Sequence, residues 1–349
     1  MHVQNTLRKR HRSLLGLFML VSGIILILFG STAMGIESWV SGAKNERKVV
    51  LYTAMVQQDT NVILNKFMER YPFVDARYNY APTDQLLAKV SAEFRAGKLQ
   101  ADVIQIGGVL AEVLKKQGVM GNYVSPELKA IPDDFKDPEG LWGSAYIQTN
   151  VIGYNTRLVN REDLPKSYEE LLDPKWTGKL GMARNEVKWF IARLGIMGEK
   201  KGLEFMRKLS KQQIKFFPTK TVVGVMLAAG EISVAVNSLA DGLEKEKAKG
   251  APVEWVAVNP VHTTILPIFV AKGAANPNAA KLLVDFVLSK EGQTVIKSFN
   301  RIPTRQDVLP DPPRLVQGLK FYPDQMESVD RFAEFDKMFR DIFLSWNKP

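Results

Sequence analysis

The sequence predicts an α/β protein of two lobes, joined by strands that cross from one lobe to the other. Three observations predict it. Short β-rich runs alternate with amphipathic helical runs at βαβ spacing, first over 47–120 and again over 180–250, the pattern of parallel sheets covered by helices. Two longer β-rich stretches, 144–155 and 253–274, bracket the second series, as a chain that leaves one lobe and returns would show. With 349 residues, 46% of them hydrophobic, the chain exceeds one usual domain and can fill two cores.

In chain order, "RKVVLYTAM" (47–55) is β-rich and ends at Thr53, and "VQQDTNVILNKFMERYP" repeats apolar residues at helical spacing before Pro72 stops it. "VDARYNYAP" reads as a strand and "TDQLLAKVSAEFRAGK" as a helix with Thr83 as N-cap and Gly97 near its end. "ADVIQIGG" and "LAEVLKKQGV" repeat the unit, and a loop-rich stretch leads to "SAYIQTNVIGYN" (144–155). The second series runs through strand "KLGMA", helices "VKWFIARLGIMG" and "KGLEFMRKLSK", strand "IKFF", helix "TVVGVMLAAGE" and strand "ISVAV". The β-rich 253–274 precedes one helix, "PNAAKLLVDFVLSKEGQTVIKSF", and two helices are expected around "ESVDRFAEFDKMFRDIFLSW". The expected division is 44–148 with 264–310 as the first lobe and 149–263 as the second. Residues 311–349 form C-terminal helices that the pattern assigns to neither.

At the N-terminus, "LRKRHR" precedes the uncharged, apolar run Ser13 to Gly30, followed by small residues in "STAMG" and "VSGAK". Basic then apolar then small is the order of a secretory signal, so residues 1–43 are expected to be a signal peptide or a retained anchor, and the protein periplasmic. Formal charge is +10, but Arg8, Lys9, Arg10 and Arg12 belong to that segment, and body runs such as "EKEKAKG" mix both signs. That argues against nucleic acid as a partner. Cysteine is absent and only His262 of three histidines lies in the body, which excludes disulfides, thiolate chemistry and a multi-histidine metal centre. No serine elbow, "HExxH" or P-loop occurs, and the paired acids Asp133 and Asp134 have no histidine near them. An enzyme is therefore not expected, and no cofactor.

"ADVIQ", "TNVIGYNTRLV" with "LPKSYEELLDPKWTGKLGMA", "AAGEISVAVNSLADGLEKEKAKGAPVEWV", and "NPNAAKLLVDFVLSKEGQ" with "RIPTR" together resemble the periplasmic solute-binding proteins of ABC importers, in the branch of the ferric-iron-binding proteins. The resemblance covers 47–310 and implies the type II two-lobed fold with the ligand cleft between the lobes, a monomer, and permease and ATPase partners. It implies hinge closure over the solute as well. The tyrosine pair that ligates iron in those relatives falls near Ala240 and Asp241, their histidine near Val56 and their glutamate near Gly107. An oxygen-rich ferric cage is thus not expected. The alternative is an iron carrier with other ligands, such as Asp241 with Tyr146 and a bound anion.

Open α/β sheets bind ligands beyond the C-terminal ends of their strands, where helix N-termini offer free N–H groups. The turns at those points supply the candidate binding residues: Thr53 and Gln57, Gly107 and Gly108, Arg184 and Asn185, Thr219, Lys220 and Thr221, and Asn237, Ser238 and Asp241, with Tyr146 before the first crossing. Four of the five turns lack acidic side chains, and Arg184 and Lys220 add cations. A small anionic organic solute with a carboxylate, phosphate or phosphonate is the expected ligand. Each residue also has a plainer reading: Thr219 as a helix cap, Arg184 and Lys188 as exposed helix residues, Trp189 as core, and His262 as a hydrogen-bonded structural group.

Overall fold

The computed structural model describes residues 38–344; the basic and apolar segment read as a secretory signal lies outside them. A helix over 38–46 (α1) leads into β1 (Lys48–Thr53), α2 (Gln57–Arg70), β2 (Asp75–Tyr80), α3 (Thr83–Arg95), β3 (Val103–Gln105) and α4 (Leu110–Lys116). After β4 (Gly143–Asn155) come β5 (Leu180–Ala183), α5 (Val187–Met197), α6 (Glu199–Leu209), β6 (Lys215–Phe217), α7 (Lys220–Ala229), β7 (Val234–Leu239) and α8 (Ala240–Ala248). The chain returns through β8 (Val253–Val256) and β9 (Val261–Val270) to α9 (Pro277–Leu288), α10 (Lys290–Ser298), β10 (Phe321–Pro323) and α11 (Phe332–Phe343).

The strand order explains the two lobes. β2, β1 and β3 pair in parallel, and β9 and the first half of β4 extend that sheet in antiparallel register. From Asn150 onward β4 pairs instead with β7 and β8, and β7 continues in parallel to β5, which pairs with β6. β4 therefore belongs to both sheets, and its change of partners at Thr149 and Asn150 is the first crossing. The return crossing lies between β8 and β9, at a cis Asn259–Pro260 bond. One core is built on Val49, Phe67, Ile104 and Phe269, the other on Leu180, Trp189, Phe190 and Phe205. Gly153 lets α7 and α8 approach β4 closely: a Cβ there would stand 2.8 Å from Leu243 and 3.0 Å from Leu227.

Three elements depart from the sequence expectation. Thr83 is not the N-cap of α3; Pro82 holds that place and makes no side-chain cap, because its fixed φ already suits the entry. The helix expected over 277–299 is two, broken at Ser289, whose hydroxyl accepts from Gly292 N at 3.1 Å and starts α10 afresh. Of the two C-terminal helices, one is α11, and the other is a 3-10 stretch, Met326–Arg331.

The C-terminal segment touches both lobes. β10 lies parallel to β9 at Val261–Thr263, and Lys116 of α4 pairs with Asp330 at 2.6 Å. Arg331 then pairs with Glu199 of α6 at 2.9 Å. Phe335, Phe339 and Phe343 enter the second core, where Phe339 meets Phe190 edge-on with ring centroids 6.0 Å apart. Burying each such ring contributes about 2–3 kcal/mol, which fixes α11 to the second lobe.

Candidate functional site

The cleft has two compartments. A narrow one of about 320 Å³ is lined by Thr83, Asp84, Gln148, Asn185, Lys188 and Thr264, among others, and a wide one of about 850 Å³ by Thr221, Ser238, Lys245 and Arg301, among others. Lys220 and Leu239 line both, so the compartments adjoin across the first turn of α7.

The narrow compartment brings helix starts from the two lobes face to face: those of α3 and α4 from one, those of α5 and α7 from the other. Lys188 reaches from α5 to the turn after β3, with its Nζ 3.6 Å from where a Cβ on Gly107 would stand. Gly108 has φ +54°, and a Cβ there would run into Asp324 Oδ2 and Lys188, so glycine is required by both backbone and space. Lys220 Nζ donates to Asn150 Oδ1 at 2.5 Å and pairs with Glu186 at 3.2 Å. Glu186 is buried and also accepts from Asn237. Burial raises its pKa, while Lys220 and Asn237 act in the opposite sense. Asn150 stands where β4 changes sheets, and its amide also donates to His262 O at 3.1 Å. Lys220 is thus tied to the crossing itself.

A second set of charges closes the wide compartment. Arg301 follows Asn300, whose φ of +60° turns the chain after α10, a conformation Asn tolerates better than most residues. The guanidinium donates through Nε to Asp59 of α2 at 2.9 Å and through Nη1 to Asp241 of α8 at 3.0 Å. Its centre lies 5.4 Å from the Tyr146 ring centroid. Asp59 and Asp241 are on opposite lobes, so this triad joins them.

The residues singled out from sequence divide accordingly. Asn185, Lys220, Thr221 and Ser238 line the cleft, and Gly107 and Gly108 face Lys188. Thr53 is fully buried and donates to Gln105 Oε1 at 2.7 Å. Tyr146 and Asp241 are engaged with Arg301, and Asn237 with Glu186. Thr219 caps α7, accepting from Val222 N at 3.2 Å. Gln57 and Arg184 are exposed and line neither compartment. Trp189 is core beside Tyr168, and His262 meets Asp324 at 2.8 Å in full burial. Sequence reasoning did not include Glu186, Lys188, Arg301, Asp59 or Lys245 in the site. For Lys188 and Glu186, the signal was their place in the first turn of a helix that follows a strand. Among the described residues, no cluster of three or more acidic or histidine side chains is placed to hold a metal.

Comparison with known proteins places this geometry. The family model described as bacterial extracellular solute-binding protein matches residues 100–321. A protein of Haemophilus influenzae without an assigned function is 28% identical over 275 residues, 73% of this chain and 77% of its own length. A putative 2-aminoethylphosphonate-binding periplasmic protein of Salmonella typhimurium is 25% identical over 223 residues, 60% of this chain and 64% of its own. Iron-bound HitA from Pseudomonas aeruginosa superposes with TM-score 0.74 at 21% identity, covering 85% of this chain and 99% of that one. AfuA from Actinobacillus pleuropneumoniae with fructose-6-phosphate bound superposes at 0.71 with 23% identity, covering 85% and 98%. Similar folds thus carry ligands as different as a metal ion and a sugar phosphate.

Proposed function

The chain belongs to the bacterial extracellular solute-binding protein family, and from that premise we propose that its cleft captures a small anionic organic solute, bearing a phosphate, phosphonate or carboxylate group, outside the cytoplasmic membrane. It is a solute-binding transport protein and not an enzyme. The solute passes to a membrane permease driven by an ATPase, the protein acting as a monomer. The N-terminal basic and apolar segment serves as its export signal.

One observation carries the ligand class: Lys188, at the start of α5, faces a polar cavity on which the starts of α3 and α7 also converge, and the Lys220 beside it is already paired with Glu186. The helix dipoles and the Lys188 ammonium favour negative charge there. The phosphonate-binding relative and the fructose-6-phosphate complex support the same class. The candidate residues are Asn185, Lys188, Lys220, Thr221, Ser238 and the Gly107–Gly108 turn. Closure over the solute is a hinge at Asn150 and at the β8–β9 link.

Ferric iron bound through Asp241 and Tyr146 is the competing reading, favoured by the resemblance to HitA. Arg301 stands against it, because its fixed positive charge already occupies the Asp241 carboxylate and faces the Tyr146 ring. A thermal-shift panel on solute-stripped protein tests the two. A ligand at a hundred times its Kd adds about 2.7 kcal/mol, so phosphonates, phosphate esters or carboxylates raise the midpoint by several degrees. A shift with ferric salts alone, accompanied by a visible charge-transfer band, refutes the anion reading.

A further inference from the structure

We propose that the wide compartment receives a second anionic group, held by Lys245 with the hydroxyls of Ser238 and Thr221, so that the solute is a short chain with an anion at each end. The inference rests on the reading of the cleft as an anion site and names the substrate class within it. A carboxylate joined to a phosphonate or phosphate by a few carbons is the chemistry that fits.

Donors on the wall of the wide compartment lack direct partners. Lys220, Lys245, Lys249 and Arg301 line the wide compartment against two acids, Asp59 and Glu246. Arg301 holds both Asp59 and Asp241, a triad with one carboxylate in excess, while Lys249 pairs with Glu246 at 2.8 Å and Lys220 with Glu186. Lys245 makes no ion pair or hydrogen bond among the described residues. It stands one turn of α8 beyond Asp241, partly buried, and burial lowers its pKa, with Arg301 acting in the same direction and the carboxylates of Asp59 and Asp241 in the opposite one. Its N–H donors touch neither carboxylate directly, and a partly desolvated ammonium gains from an acceptor placed against it.

Ser238 supports the placement. It is 2% exposed and lines this compartment, yet its hydroxyl makes no hydrogen bond among the described residues. Thr221 adds a second hydroxyl from the first turn of α7. Because Lys220 and Leu239 border both compartments, a molecule lying across Lys220 presents one end to Lys188 and the other to Lys245. A solute whose far end is an ammonium group would meet Lys245 with like charge, and is disfavoured.

Calorimetric titration of the full-length, solute-stripped protein decides it, using methylphosphonate, 2-aminoethylphosphonate, phosphonoacetate, 3-phosphonopropionate and 4-phosphonobutyrate. We expect at least one carboxyphosphonate to bind about tenfold or more tighter than methylphosphonate. Lys245→Gln should abolish that gain while leaving methylphosphonate within about twofold, and Lys245→Arg should keep most of it. Equal affinities for one-anion and two-anion ligands, tightest binding of 2-aminoethylphosphonate, or a Lys245→Gln loss shared by all ligands overturns the proposal but leaves the anion site standing. Failure of every phosphonate to bind overturns both.

Discussion

Replacing Arg301 by Met is the sharpest probe of how the lobes hold together. The side chains of Asp59, Asp241 and Arg301 are 6%, 0% and 13% exposed, so the substitution leaves two buried carboxylates facing each other with no cation between them. Removing one partner of a buried ion pair costs about 3–5 kcal/mol, and with two carboxylates left uncompensated we expect the upper part of that range. At about 2–4 °C per kcal/mol for a protein of this size, the midpoint should fall by roughly 8–20 °C. Asp241→Asn keeps the shape and leaves Arg301 paired with Asp59, so it should cost only about 1–3 kcal/mol. Its loss falls on the contact between lobes, and small-angle scattering should show a larger radius of gyration. Urea unfolding followed by tryptophan fluorescence gives the energies. The neutral triple variant Asp59→Asn, Asp241→Asn, Arg301→Met should recover most of what Arg301→Met alone loses. A loss below about 1 kcal/mol for Arg301→Met, or a triple variant no better than the single one, refutes the triad as an interlobe lock.

Two further outcomes follow from the first lobe. Asp285 accepts from Tyr123 Oη at 2.8 Å and Ser125 Oγ at 2.6 Å, yet burial pushes its pKa from 3.8 up to about 6. A raised folded pKa favours the native state most below pH 4 and loses that contribution as pH rises to 6; relative to Asp285→Asn, unfolding free energy should therefore fall by about 3 kcal/mol between pH 3.5 and 7. Identical pH profiles for the two proteins would contradict the assignment. In α1, Trp39 meets Tyr123 edge-on at 5.3 Å, Ala43 is fully buried, and Glu46 accepts from Asn278 N and Ala279 N at 3.1 and 2.8 Å, capping α9. A chain starting at Lys44 should therefore be about 2 kcal/mol less stable than one starting at Glu37. Sequencing of the exported protein should find no cut after Ala43, and a mature terminus at Lys44 would show α1 to be dispensable.

The strands and helices were legible because each carries its own period. β1 and β7 announce themselves as apolar runs ending in small polar residues, and α2 and α3 as helical repeats with stops. The crossing strands were legible as β-rich stretches too long for their neighbours. What is local could be read: the turns containing Asn185, Lys220, Thr221 and Ser238 lie on the cleft because strand ends followed by helices must lie on that side of a sheet. What is paired across the chain could not. Thr53 is taken up by Gln105, and Arg301 finds Asp59 242 positions away in sequence; nothing in the vicinity of either residue announces its partner. Lys245 looked like one member of a solvated mixed-charge run, and only the fold shows that it lines the wide compartment while Glu244 beside it is taken up by Trp255 and Arg314.

The C-terminal segment has a mechanical consequence. Two crossings placed side by side in a sheet leave the lobes free both to bend and to twist about each other. A third covalent link, running past Lys116 on one lobe to Glu199 on the other, stands away from those strands and resists the twist. What remains is close to a single angular coordinate, with Phe332 riding at the rim of the narrow compartment. A receptor touching both lobes need then measure only one angle to distinguish a loaded carrier from an empty one.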